Sequence, residues 1–178
     1  MNTTIDHKPR RLGAIVGAGV MLFAMSDLLG GVPLPAAAAT QRCTAGLDVW
    51  LNSEGSGAAG SVYYKLEFTN LSEDACSISG YPGVSATNLR GRKLGRAAVR
   101  EAGQPPGLVT LAAGTTATAS LRIVDAGNFP SASCHAVTAA GLRVFPPGLK
   151  SSRLVPFPFK MCSSTGPAVL AVRALTRA

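Results

Sequence analysis

The chain is short of the residues that do chemistry. It has two histidines in 178 residues, and only His135 lies beyond the first 39. Its four cysteines, Cys43, Cys76, Cys134 and Cys162, form no C-x-x-C pair, so zinc-ribbon and thioredoxin chemistry lack their ligand spacing. His135 has no histidine beside it, and Met161 is the only methionine after residue 39, so copper or zinc has no ligand set. No nucleophile-elbow motif surrounds Ser131, Ser133 or Asp125, the groups nearest His135, and a Ser-His-Asp site needs all three roles filled. The carboxylates at Asp48, Glu54, Glu67, Glu73, Asp74, Glu101 and Asp125 are scattered, where glycosidase chemistry needs a pair. The glycine-rich GSGAAG at 55–60 lacks the Lys-Ser/Thr of a phosphate loop and precedes a strand rather than a helix. The expectation is a protein that is not an enzyme, with no catalytic residue, no cofactor and no metal site.

A run long enough to span a membrane is missing too. The apolar stretch LGAIVGAGVMLFAM at 12–25 stops at Ser26-Asp27, short of the roughly 20 residues a span needs. Lys8, Arg10 and Arg11 precede it, and Ala37 and Ala39 follow in A-x-A positions. That arrangement reads as a secretory signal peptide over 1–39, with a single domain over 40–178 and no transmembrane span in the mature chain. Sec and twin-arginine export both stay open. An even number of cysteines behind a signal peptide implies two disulfides. Four cysteines allow three pairings; Cys43–Cys76 and Cys134–Cys162 are favoured because each closes a loop within one half of the domain. A lipid-modified cysteine follows a small residue, with a leucine-like residue three before it. Cys43 has Arg42 and Thr40 in those places, so the expected location is extracellular without a lipid anchor.

Glu, Lys and Gln are scarce after residue 39, while Gly, Pro, Ala, Ser and Thr are abundant. That mix favours short strands joined by turns. Alternation is clear in GLDVWLN (46–52), SVYYKLEFT (61–69) and TATASLRIV (116–124). In these, Leu47, Val49 and Leu51, then Val62, Tyr64, Leu66 and Phe68, then Ala117, Ala119, Leu121 and Ile123, share a face. Weaker strands are expected at 76–78, 84–89, 108–111, 141–145 and 168–175. RLVPF (153–157) should lie at a sheet edge because Pro156 and Pro158 lack donors. Loops are expected at 54–60, 90–107 and 125–133. About eight short strands with turns between them define an all-β fold, an antiparallel β-sandwich of immunoglobulin-like architecture.

The pattern made by Cys43, Gly60, LEFTN (66–70), CSISGYPGVS (76–85), VTLAAGTTATA (109–119), Cys134, GLRVFPPG (141–148) and Cys162 resembles a known family. It is the family of secreted actinobacterial domains catalogued as domain of unknown function 4232. The resemblance implies export and a disulfide-stapled β-sandwich. It implies no activity and carries over no catalytic residue.

Acidic residues are also few, 9 against 17 Lys and Arg. Three of those cations and two of those acids precede residue 40, so the domain keeps an excess of about seven positive charges. The excess is concentrated in LRGRKLGRAAVR (89–100), where Arg90, Arg92, Lys93, Arg96 and Arg100 form a candidate anionic-ligand loop. The partners it suggests are an anionic cell-envelope polymer or another extracellular protein. Nucleic acid is not expected, because no aromatic residue interleaves the cations for base stacking. A different reading is a secreted protease inhibitor with a disulfide-tethered loop in FPFKMCSS (157–164), near Lys160-Met161. Asn70-Leu71-Ser72 has the form of a glycosylation sequon, but the expectation is that it places Asn70 in a turn.

Overall fold

The computed structural model describes residues 40–44 and 46–178, so the expected signal peptide lies outside the described residues. Twelve strands follow in chain order: β1 (Leu47–Ala58), β2 (Ser61–Asn70), β3 (Cys76–Ile78), β4 (Gly83–Thr87), β5 (Lys93–Leu94), β6 (Val99–Arg100), β7 (Val109–Leu111), β8 (Thr116–Val124), β9 (Ala136–Phe145), β10 (Arg153–Cys162), β11 (Leu170–Val172) and β12 (Thr176–Arg177). A 3-10 turn (Ala126–Asn128) and the one-turn helix α1 (Ser131–Cys134) lie between β8 and β9.

The larger sheet runs β1-β2-β8-β11-β6, with β12 also paired to β8. The smaller runs β10-β9-β4-β5, and β3 and β7 make a separate ribbon. Alternation decides what each strand buries. On β8 every second residue from Ala117 is buried and those between are half-exposed. Leu66 and Phe68 of β2 sit with Ala117, Ala119 and Leu121 in one cluster with Val84, Ala86, Ala139, Leu142 and Val144 of the small sheet. Each large aliphatic or aromatic side chain so buried contributes roughly 1.5–3 kcal/mol. The fold is therefore the expected β-sandwich, and the disulfides are Cys43–Cys76 and Cys134–Cys162.

Several boundaries differ from those read in the sequence. Residues 54–58 are not a loop. They extend β1, and Ala58 pairs with Ser61 across a two-residue turn whose Ala59 and Gly60 both have positive φ, 38° and 74°. Glycine lowers local strand propensity, but the ladder already started with β2 carries the pairing outward. β9 starts at Ala136 and β10 continues to Cys162, because the two hold each other from Cys162–Ala136 to Arg153–Val144. The prolines of β10 do fall on an edge strand, at a register shift between Pro156 and Phe159. The 90–107 stretch contains β5 and β6, and 125–133 contains the 3-10 turn and α1. β4 ends at Thr87 rather than at Leu89, since Asn88 opens a turn.

Candidate functional site

Asn88-Leu89-Arg90-Gly91 forms a tight turn between β4 and β5. Gly91 N donates to Asn88 O at 2.9 Å, and Asn88 N donates to Arg92 O at 3.0 Å. The Asn88 side chain accepts from Arg90 N at 3.0 Å and Arg92 N at 2.9 Å. Gly91 has φ +69°, a conformation in which a side chain is strained. From β9, the Arg143 guanidinium donates to Gly91 O and braces the turn from below. Five hydrogen bonds thus hold this turn.

The side chains of this turn are cationic and apolar. Arg90, Arg92 and Lys93 are exposed, and Leu89 at the apex is 95% exposed. The register places Lys93 opposite Thr87, Thr87 opposite Gly141, and Gly141 opposite Pro156. Two residues along, Ser85, Arg143 and Leu154 align in the same way. Side chains two apart share a face, so Lys93, Arg143, Leu154 and Pro156 all belong to the outer face of the small sheet. Leu89, with Leu154 and Pro156, lines an open groove of about 230 Å³.

The five cations of the candidate loop are not one cluster. Arg90, Arg92 and Lys93 stay together on the β4–β5 turn. The chain then leaves the small sheet through Gly95, which packs against the carbonyl of Cys162. Arg100 lies on β6 in the large sheet, with its guanidinium 5.3 Å from the centre of the Tyr81 ring. Arg96 is exposed on the crossing between them. Among the described residues both ion pairs converge on Glu101, from Arg122 at 2.8 Å and Arg173 at 3.2 Å. None of the five cations takes part in either. A contiguous run in sequence therefore becomes a triad on one sheet and a separate aromatic-stacked arginine on the other.

The remaining candidates are dispersed. His135 is exposed and caps α1 in the left-handed conformation at φ 49°, ψ 69°. Asp125 caps the 3-10 turn by accepting from Gly127 N. Glu67 accepts from the indole of Trp50 and from Asn52. No group of three or more His, Cys, Asp or Glu gathers at metal-binding range among the described residues. Lys160 and Met161 do not form a loop. They belong to β10, where Met161 is completely buried and Lys160 Nζ donates to Thr138 Oγ1 at 3.1 Å. Alternation along the strand separates them to opposite faces, and pairing with Val137 and Thr138 holds both in the ladder. Lys160 also borders an open cleft of about 350 Å³ with Val62, Tyr64, Ile123 and Phe159. Asn70 of the sequon is fully buried, with both amide hydrogens donated to carbonyls.

Leu89, Leu154 and the bracing Arg143 were not singled out from the sequence. A signal for the turn was present: Asn at the first position and Gly at the fourth mark a type I turn. Leu154 could not be found this way, because its place beside the turn depends on the pairing of three strands.

Fold and surface together define a disulfide-stapled β-sandwich domain that presents a braced basic turn. The chain belongs to the family described as Domain of unknown function (DUF4232), which matches residues 43–176. No curated protein and no solved structure matches it. No helix among the described residues is long and apolar enough to cross a membrane.

Proposed function

We propose that this is a non-catalytic, exported binding module that attaches to an anionic component of the cell envelope through its β4–β5 turn. The observation that carries the reading is the exposed triad Arg90, Arg92 and Lys93, free of ion pairs among the described residues and set on a backbone held by five hydrogen bonds. A backbone already ordered lowers the conformational cost of presenting these charges to a ligand. Export is supported by the two buried disulfides, which persist in oxidising compartments. Phosphate and carboxylate groups match guanidinium geometry, and Arg supplies two of the three cations.

The test is retention on envelope fragments, containing both wall and membrane, across a salt series. The wild-type protein should be retained at low ionic strength and released as screening shortens the Debye length below about 8 Å. Combined replacement of Arg90, Arg92 and Lys93 by Ser should weaken retention and flatten its salt dependence. Retention identical to wild type would refute the proposal.

A further inference from the structure

Leu89 is the least economical residue on the surface. A leucine side chain at 95% exposure sits at the tip of a turn held by five hydrogen bonds, so rearranging that turn to cover it would break some of them. Single exposed leucines are common on proteins. This one has a second beside it: Leu154 is 62% exposed and lines the same groove. Arg90, Arg92 and Lys93 follow Leu89 within four residues along the chain, and all three are exposed. The combination is an apolar tip with three cations close behind it in the same turn.

A hydrated anionic polymer offers charges but no apolar phase. It would engage the cations and leave Leu89 in water. An anionic phospholipid bilayer offers both, because its phosphates lie just above the hydrocarbon that would accept two leucine side chains. We infer that the anionic component is the bilayer itself. On this reading Leu89 and Leu154 enter the interface while Arg90, Arg92 and Lys93 meet the headgroup phosphates. The inference rests on the proposed role of the basic turn and names its ligand. Arg143 and Asn88 are positioning residues, since they hold the turn and have no direct part in contact.

Co-sedimentation with vesicles tests it. Vesicles of phosphatidylcholine alone are compared with vesicles of equal parts phosphatidylcholine and phosphatidylglycerol, and a lipid-free wall preparation serves as the third matrix. The wild-type protein should bind the mixed vesicles and not the neutral ones. Leu89→Ser should weaken vesicle binding by about ten-fold, a fraction of the full transfer cost of a leucine, and leave wall retention unchanged. Because Leu89 touches solvent almost entirely, its replacement should leave the thermal unfolding midpoint in place. Replacing the three cations by Ser should weaken vesicle binding by about 100-fold, near five-fold for each charge.

Vesicle binding by Leu89→Ser equal to wild type overturns the inference. So does wild-type protein that is retained on the wall preparation and ignores mixed vesicles, an outcome that leaves the proposed function standing with a polymer as ligand. Absence of binding to vesicles, wall and whole envelope fragments alike removes both.

Discussion

Replacing Asn70 should damage this domain more than any change to its basic turn, even though Asn70 lies in a sequon. The side chain is fully buried at the end of β2. Its amide donates to Asp74 O at 2.8 Å and Leu111 O at 3.1 Å, and its oxygen accepts from Ser72 N at 3.0 Å and from Ser72 Oγ at 2.5 Å. The backbone adds Asn70 N to Thr115 O at 3.0 Å and Gly114 N to Asn70 O at 2.7 Å. One residue thus ties the turn after β2 to the strand β7 and to the turn before β8. In Asn70→Ala the buried Leu111 carbonyl loses its side-chain donor, at about 1–3 kcal/mol. The bonds to Asp74 and Ser72 are nearer solvent and cost about 0.5–1.5 kcal/mol each. With one bond to Asp74 and two to Ser72, the sum is about 2.5–7.5 kcal/mol, a large part of the stability of an ordinary domain. Asn70→Asp should be worse at neutral pH, because it turns a carboxylate oxygen toward the carbonyls of Asp74 and Leu111 at a buried position.

Burial and those carbonyls raise the folded pKa of the new carboxyl above its unfolded value of about 3.9. The sign then follows: the Asp variant is least handicapped below that unfolded value, where it is protonated in both states, and its deficit grows as pH rises through the folded pKa. Urea unfolding followed by circular dichroism, read as a shift in midpoint at constant slope, measures each deficit against wild type at the same pH. An Ala variant within about 1 kcal/mol of wild type would sink the reasoning, as would an Asp variant no worse than Ala at pH 7.

Two further predictions concern the frame behind the basic turn. Gly95 has φ +55°, and a Cβ there would lie 2.2 Å from the carbonyl of Cys162. Gly95→Ala should therefore combine left-handed strain of about 1–2 kcal/mol with overpacking of about 1–3 kcal/mol. Gly114 has φ +72° with nothing within 4 Å, so Gly114→Ala should show only the strain, and equal losses for the two would contradict the geometry. Replacing both Cys134 and Cys162 by Ala frees a loop whose ends are 28 residues apart, and the chain-entropy relation gives a loss of about 3.5 kcal/mol. A drop below about 1 kcal/mol in denaturant unfolding would show that the unfolded chain gains little freedom when the link is cut.

Much of the sandwich was legible in the chain because its causes are local. The alternation in 61–69 and 116–124 specifies which side chains turn inward; β8 buries that face throughout, and β2 buries Leu66 and Phe68 while Val62 and Tyr64 stay half-exposed. Pro156 and Pro158 exclude β10 from a sheet interior, since neither has an amide to donate. Four cysteines behind a stretch that reads as a signal peptide point to two disulfides, and closing each within one half of the domain matches the pairs that form. The basic character of 89–100 is equally plain from composition. What the chain order concealed is where those cations go. Arg90, Arg92 and Lys93 share a turn because Asn88 and Gly91 close it, whereas Arg100 leaves with β6 because that strand pairs with β11, some 70 residues later. Leu89 is the last residue of an expected strand to a reader of the sequence and a bare apex in the folded domain. Its neighbour Leu154 comes from a strand two ladders away. Local periodicity determines which face a residue takes; only long-range pairing determines who shares that face, and the candidate site is made of such sharing.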